Sequence, residues 1–303
     1  MKRTLTYFSI FIFFTFASLY SYAVPKVIPK APAIAAKSYI LMDHNSGKII
    51  AQNNAETPVA PASITKVMTA YVVFSELEQG NISLDEKVTV SKKAWKTMGS
   101  RMFIKVNSKV SVEELLQGMI IQSGNDASVA LAEHIAGSED TFAALMNQHA
   151  QELGMTQTNF LNSTGLPAPT HKTTAKDLAI LANALIKRFP QYYKWYSTKD
   201  YTYNNIKQSN RNKLLWRDDS VDGMKTGFTE EAGYCLLSSA KRGSMRLVSV
   251  VLGTKSANAR AQETQKLLNF GFRFYESHII YPIGKALKNI RLYKGSREKL
   301  PVG

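Results

Sequence analysis

The chain has 303 residues, 45% of them apolar and 20% charged, which is enough for a large buried core in one large or two smaller domains. Its formal net charge of +15 favours anionic partners, but no Lys/Arg run exceeds two residues and no nucleic-acid motif occurs, so we expect no nucleic acid partner. A single cysteine, Cys235, excludes an internal disulfide, and five histidines without a close pair predict neither a metal site nor a cofactor.

The N-terminus has the layout of a secretory signal peptide. Lys2-Arg3 forms a positive head, an apolar stretch follows at 8–19, and Ser21-Tyr22-Ala23 supplies the small residues of a cleavage site. A retained membrane helix is the alternative, although this apolar stretch is short for crossing a bilayer. We expect residues 1–23 to be removed on export to the periplasm or the outer face of the cytoplasmic membrane, and residues 24–36 to form a linker.

Local patterns in the first two thirds of the chain predict a hairpin and then helices. Asn45-Ser46-Gly47 is a turn signal between two apolar runs, which predicts a β-hairpin over 39–52. Pro61-Ala62-Ser63 opens an apolar repeat at helical spacing, and Gly80 ends it. Three more helices are predicted, from the capping box Ser111-x-x-Glu114, over Ser138–Glu152, and from the capping box Thr174-x-x-Asp177.

After about residue 200 the pattern changes mainly to strands, with one further helix at Asn258–Tyr275. Strands at both ends of the sequence, with helices between them, predict an α/β (α+β) fold in which helices cover an antiparallel β-sheet and a helical subdomain is added. The predicted strands of this half are Tyr201–Asn205, Asn212–Trp216, Ala232–Ala240, Met245–Gly253 and Ile290–Tyr293.

The first pattern with chemical meaning is Ser63-Ile64-Thr65-Lys66. At the start of a helix, residues three apart share a face, so Ser63 and Lys66 can touch. A neutral lysine can then take the proton of the serine hydroxyl, which requires a pKa well below 10.4, and we expect burial and the nearby charge of Lys225 to lower it. The same spacing at Ser238–Lys241 lies on a strand and at Ser296–Lys299 in a polar tail, where neither serine is placed for activation.

Two further patterns are Ser123-Gly124-Asn125 and Lys225-Thr226-Gly227. The order of the three patterns resembles that of β-lactamases and penicillin-binding proteins. Each pattern alone has a purely structural alternative: Ser63 as a helix cap, the second as a loop between helices, the third as a turn. Their joint occurrence favours one catalytic site.

Over about Ser38 to Glu276 the chain resembles the low-molecular-mass D-alanyl-D-alanine carboxypeptidases of the penicillin-binding-protein family. The resemblance implies a serine β-lactamase/penicillin-binding-protein transpeptidase-like catalytic domain at 37–278. The segments that carry it are Pro61–Thr69, Ile121–Ala127, Val221–Gly227 and Gly271–Tyr275.

The same resemblance implies a role for each residue of the site. Ser63 would be the acylated nucleophile, Lys66 its base, and Ser123 a proton relay to the leaving group. The N–H groups of Ser63 and Phe228 would form the oxyanion hole. Substrate-binding residues would be Asn125, Lys225, Thr226, Gly227, Phe228, Arg211 and Arg260, the two arginines near the terminal carboxylate. The expected partners are the peptidoglycan stem peptide and, as covalent inhibitors, β-lactam antibiotics.

Members of this branch usually continue into a β-rich second domain and a membrane anchor. We therefore expect 279–303 to be the start of a truncated C-terminal β segment, with membrane contact only through segments outside this chain.

Three rival functions remain at the level of the sequence. A class A β-lactamase needs a glutamate with an asparagine four residues on, whereas Glu152 is followed there by Thr156, and no other glutamate lies between Glu152 and Lys225. A DD-endopeptidase that cuts cross-links is the nearest enzymatic alternative. A catalytically silent wall-binding or sensor module would be expected to lack Ser63, Lys66 or Lys225, and all three are present.

Overall fold

The computed structural model describes residues 28–278, 280 and 285–302. The predicted signal peptide at 1–23 lies outside the described residues. The chain divides into two compact units, Met1–Lys30 and Ala31–Gly303, and the architecture below is that of the second unit. None of the helices in the described ranges combines the length and apolar character needed to span a bilayer.

The strands and helices of the described residues alternate in blocks along the chain. The strands are β1 (Ser38–Asp43), β2 (Ile49–Asn53), β3 (Lys87–Thr89), β4 (Lys109–Ser111), β5 (Asp200–Tyr203), β6 (Ile206–Ser209), β7 (Val221–Thr229), β8 (Gly233–Arg242), β9 (Met245–Thr254), β10 (Lys288–Arg291) and β11 (Lys299–Val302). The helices are α1 (Lys66–Gln79), α2 (Lys92–Lys96), α3 (Val112–Gln117), α4 (Asn125–Ala136), α5 (Glu139–Glu152), α6 (Ala175–Arg188), α7 (Pro190–Tyr193) and α8 (Ala257–Phe274).

One antiparallel sheet is built from both ends of the catalytic region, in the order β2-β1-β9-β8-β7. Side chains alternate across β1, so that Ile40 packs into the core shared with α1 and α6, whereas Leu41 packs into a second core under α8. The remaining helices, α2 to α5, form a helical block on the side of α1. The predicted sheet with helices on its faces and an added helical subdomain is therefore present.

Local signals predicted the helix ends well. Ser111, Ser138 and Thr174 all cap helices with their side chains, and Ser111 and Glu114 complete a capping box. Gly80 ends α1 in the left-handed conformation (φ 75°) that glycine adopts most easily. The predicted hairpin over 39–52 is present as the antiparallel pair β1 and β2.

Two strand predictions were wrong in part. The segment predicted as the strand Asn212–Trp216 is a 3-10 helix at Lys213–Trp216, because the Asn212 side chain accepts the Leu214 N–H and turns the chain. The strand predicted at Tyr201–Asn205 ends at Tyr203, since Asn204 and Asn205 both have positive φ and form the turn into β6.

Candidate active site

The segment that carries Ser63, called the serine turn below, comprises Ala62–Thr65 and lies between the sheet and α1. Ala62–Thr65 form a 3-10 turn that leads into α1, so Ser63 does not cap a helix. Ala62 has φ +49°, a left-handed conformation that is strained for alanine. Gly165 lies against this turn, and a Cβ on Gly165 would be 1.8 Å from the Ala62 carbonyl oxygen, so only glycine allows the approach.

Lys66 connects the serine to two other segments. Its Nζ lies 3.1 Å from Ser63 Oγ, 2.7 Å from Asn125 Oδ1 and 2.6 Å from the Thr164 carbonyl oxygen. The two carbonyl-type oxygens can take both N–H bonds of a neutral amine, which leaves the lone pair for the serine hydroxyl. The contact predicted between Ser63 and Lys66 is therefore present.

Burial and, next, the positive charge of Arg211 lower the pKa of Lys66 to about 7, against the opposing effect of Asp126 and Glu139. The prediction of a lowered pKa agrees with this environment. Lys66 and Lys225 repel each other, which agrees with the predicted influence of Lys225, and Arg211 is a further cation that lowers the pKa of Lys66. Arg211 lies in a loop far from Lys66 in the sequence, so no pattern of neighbouring residues indicates its effect on the pKa of Lys66.

Ser123 stands at the end of a π-helical turn, Gly118–Gln122, in a left-handed conformation (φ 70°). Its hydroxyl is buried and has no hydrogen-bond partner among the described residues. The Asn125 side chain holds the loop over the site by donating to the Met98 carbonyl at 2.6 Å. Asn125 therefore lies between Lys66 and the loop at Met98 and contacts both.

Asp126 is a structural residue that the sequence did not indicate. Its buried carboxylate accepts the backbone N–H groups of Met102, Phe103 and Ile104. It therefore fixes the loop that carries Gly99 and Ser100 along the cleft. Only the long-range contact makes its role visible.

The third motif lies in the middle of β7, not in a turn. β7 is an edge strand of the sheet, and its other side faces the serine turn. A Cβ on Gly227 would lie 3.1 Å from Ala62 Cβ, so glycine permits this close packing. Burial, followed by the charges of Lys66, Arg211 and Arg260, lowers the pKa of Lys225 well below its usual value.

Arg260 lies in the first turn of α8, and its side chain lines the cleft. It is mostly buried, donates from Nη1 to the Gly227 carbonyl at 3.1 Å, and lies 5.6 Å from the centre of the Tyr234 ring. That ring packs against Phe228 with 4.3 Å between centroids. The Tyr234 ring thus supports both the guanidinium and the end of the K-T-G strand.

These elements surround one cleft of about 660 Å³. Of the predicted site residues, eight line it: Ser63, Ser123, Asn125, Arg211, Thr226, Gly227, Phe228 and Arg260. Lys66 and Lys225 are buried, and Lys66 contacts the lining residues Ser63, Asn125 and Thr164. The lining residues that the sequence did not indicate are Gly99, Ser100, Thr164, Gly165, Leu166, Asn210, Lys213, Thr229, Tyr234 and Ala257.

Cys235 is buried on β8, and burial raises the pKa of its thiol to about 11. A buried thiol with a raised pKa is a poor nucleophile at neutral pH. In the part of the chain that the structure describes, no group of three His, Cys, Asp or Glu side chains could hold a metal ion.

Known proteins are similar to this chain in sequence and in fold. A family model described as D-alanyl-D-alanine carboxypeptidase (peptidase S11) matches residues 26–256. The chain belongs to this family. It is 46% identical over 281 residues to the D-alanyl-D-alanine carboxypeptidase DacC of Escherichia coli K12, a match that covers 90% of this chain and 70% of DacC.

Solved structures of penicillin-binding proteins have the same fold. Penicillin binding protein 5 from Haemophilus influenzae is 44% identical, with a TM-score of 0.84 over 89% of this chain and 80% of that one. Penicillin-binding protein D2 from Listeria monocytogenes, solved in an ampicillin-bound form, is 31% identical, with a TM-score of 0.74 over 80% of this chain and 100% of that one. The predicted fold class, family and enzyme class, a D-alanyl-D-alanine carboxypeptidase, are thereby confirmed.

Proposed function

We propose that this carboxypeptidase removes the terminal D-alanine of peptidoglycan stem peptides through an acyl-enzyme on Ser63. The observation that carries the proposal is the contact of 3.1 Å between Lys66 Nζ and Ser63 Oγ, where the pKa of Lys66 is lowered to about 7. Near neutral pH a large fraction of such a lysine is uncharged and can accept a proton.

In the acylation step, Lys66 takes the hydroxyl proton and Ser63 Oγ attacks the carbonyl carbon before the last D-alanine. The backbone N–H groups of Ser63 and Phe228 stabilise the negative charge on the carbonyl oxygen. The proton returns through Lys66 and Ser123 to the nitrogen of the departing D-alanine. Water then attacks the ester, with the same base taking its proton, and releases the shortened peptide.

Ser123 is suited to the relay because its buried hydroxyl has no partner among the described residues and remains available to substrate. Asn125 combines two tasks, since its oxygen accepts from Lys66 while its nitrogen fixes the overlying loop. Lys225 lies buried among Lys66, Arg211 and Arg260, and these cations together favour an anionic ligand in the cleft. These groups position the substrate's amide and favour the developing negative charge.

The terminal carboxylate is bound by Thr226 and by the guanidinium groups of Arg260 and Arg211. All three line the cleft, and Arg260 is held in place by Gly227 and Tyr234. Guanidinium groups pair with carboxylates through two parallel hydrogen bonds, which gives a preference for peptides with a free C-terminus.

The protein also reacts with β-lactams at Ser63, and it acts outside the cytoplasm, in the periplasm or at the outer face of the cytoplasmic membrane. The ampicillin-bound relative from Listeria monocytogenes supports the first statement. The pattern of residues 1–23 supports the second.

Mass spectrometry tests the proposal directly. Penicillin should add its own mass to the peptide that contains Ser63, and a peptide ending in D-Ala-D-Ala should lose one D-alanine. The Ser63→Ala variant should lose both reactions. Ser296→Ala is the matched control, because Ser296 also precedes a lysine by three residues but lies in the tail, and it should retain both. An adduct on Ser296 or Ser238 would contradict the assignment.

A further inference from the structure

The cleft carries more positive charge than one terminal carboxylate requires. Arg211, Lys213 and Arg260 line it, and its lining residues include no aspartate or glutamate. Besides burial, the charge of Arg211 contributes to lowering the pKa of Lys66 and that of Lys225. Cations this close together repel one another and so destabilise the protein when the cleft is empty. The same charges strengthen the attraction of the cleft for anions.

Lys213 is held at the cleft by a rigid segment. Asn212, between Arg211 and Lys213, is buried and donates from Nδ2 to the Gly223 carbonyl of β7 at 3.0 Å. Its backbone N–H binds Asn210 Oδ1 at 2.9 Å. Because Asn212 points inward, its two neighbours point outward into the same cleft.

Two of the carboxylates that follow in the sequence form ion pairs with arginines outside the cleft. Asp218 pairs with Arg242 at 3.0 Å, and Asp222 pairs with Arg246 at 2.6 Å. Among the described residues, no acidic side chain forms an ion pair with Lys213. Its ammonium is therefore available to a ligand.

We propose that Lys213 forms a second carboxylate subsite, which binds a side-chain carboxylate on the residue immediately before the two D-alanines of the substrate. This inference rests on the proposed carboxypeptidase function. Arg260, Arg211 and Thr226 account for the terminal carboxylate, and Lys213 is the cation that remains.

The spacing supports that position in the peptide. Asn212 is extended (φ −79°, ψ 92°), so Arg211 and Lys213 lie two positions apart with one extended residue between them. A peptide lying extended in the cleft likewise places the side chain two residues before its C-terminus about 7 Å from the terminal residue. The backbone positions that carry the two cations are thus spaced like the residues that carry the two anionic groups of such a peptide.

The test compares two acetylated tripeptides, one with glutamate and one with glutamine before D-Ala-D-Ala. The wild-type protein should cleave the glutamate peptide with a kcat/KM about 2- to 5-fold higher, the range expected for an exposed charge pair. That preference should shrink at high salt. Lys213→Met should bring the ratio of the two kcat/KM values near one, Lys213→Arg should retain the preference, and Lys213→Glu should reverse it.

Lys241→Met is the matched control, because Lys241 is an exposed lysine of β8 that does not line the cleft, and it should keep the wild-type ratio. Equal cleavage of both peptides by the wild-type protein would overturn this inference alone. An equal loss on both peptides in Lys213→Met would also overturn it, since Lys213 would then serve the terminal carboxylate or the fold. Failure of the wild-type protein to cleave either peptide would contradict the proposed function, and this inference with it.

Discussion

At the scale of single residues, Lys66 is both buried and surrounded by polar atoms. It is almost completely buried, yet three oxygen atoms surround its nitrogen. Burial disfavours the charged form, and the oxygens satisfy the N–H bonds of the neutral form. The result is an amine with a pKa of about 7 rather than 10.5.

The proposed role of Lys66 as base predicts how acylation depends on pH. Below pH 7 the amine is protonated and cannot accept a proton, whereas above pH 7 it is neutral. The second-order rate constant for acylation by penicillin should therefore rise about tenfold per pH unit from pH 5 and level off above pH 7. Intact-protein mass spectrometry at timed intervals gives the rate constants. A rate that stays constant from pH 5 to 9 would contradict a lysine base.

The proposed carboxylate contact of Arg260 can be tested by changing both partners. Charge-assisted hydrogen bonds contribute about 1.5–3 kcal/mol, so Arg260→Gln should lower kcat/KM for a D-Ala-D-Ala peptide roughly 10- to 150-fold. The loss should be much smaller for a peptide with an amidated C-terminus, which lacks the partner. Equal losses on both peptides would assign Arg260 to support of Gly227 and Tyr234 instead.

At the scale of elements, an ion pair anchors the start of β7. The Arg246 guanidinium on β9 binds both oxygens of Asp222 on β7, at 2.8 and 2.6 Å, and also donates to Ser239 on β8. The Tyr193 hydroxyl of α7 donates to the same carboxylate. Three strands and one helix are thus joined a few residues before Lys225.

Breaking this network should destabilise the fold. Asp222→Asn leaves the largely buried Arg246 guanidinium without a charged acceptor, so the free energy of unfolding should fall by about 1.5–3 kcal/mol. Lys176→Met is the control: it removes the exposed pair with Glu56 and should cost less than about 1 kcal/mol. Urea unfolding followed by circular dichroism measures both. Similar small losses would show that the buried pair adds little.

At the scale of the whole molecule, the sheet joins the beginning and the end of the catalytic region. β1 pairs with β9 over its whole length, while the helices from α1 to α6 lie between these strands in the sequence. The cleft lies where the edge strand β7 meets the serine turn and the helical block. The site is thus complete only after the distant parts of the chain have come together.

Export of the protein is the remaining prediction at this scale. Residues 1–23 should be removed during secretion, because their positive head, short apolar core and small residues fit a signal peptidase substrate. N-terminal sequencing of the exported protein should find Val24 or a residue within a few positions of it. An intact Met1 on the exported protein would indicate a retained membrane helix.

The sequence by itself determined the features that depend on neighbours in the chain. The hairpin turn at Asn45-Ser46-Gly47 and the caps at Ser111 and Thr174 are made by groups a few residues apart, so local chemistry decides them. The contact of Ser63 with Lys66 belongs to the same class, because one helical turn brings the two together. The three motifs also carried the family resemblance.

Only the tertiary structure showed that Arg211 as well as Lys225 lies close enough to act on Lys66, and that Lys213 lines the cleft. Arg211 and Lys213 reach the site because the buried Asn212 binds β7, and that contact prevailed over the strand tendency of the segment Asn212–Trp216. Side-chain hydrogen bonds between distant segments contribute as much free energy as local propensities, and they leave no periodic pattern in the sequence. The placement of charge around the cleft therefore became visible only with the fold.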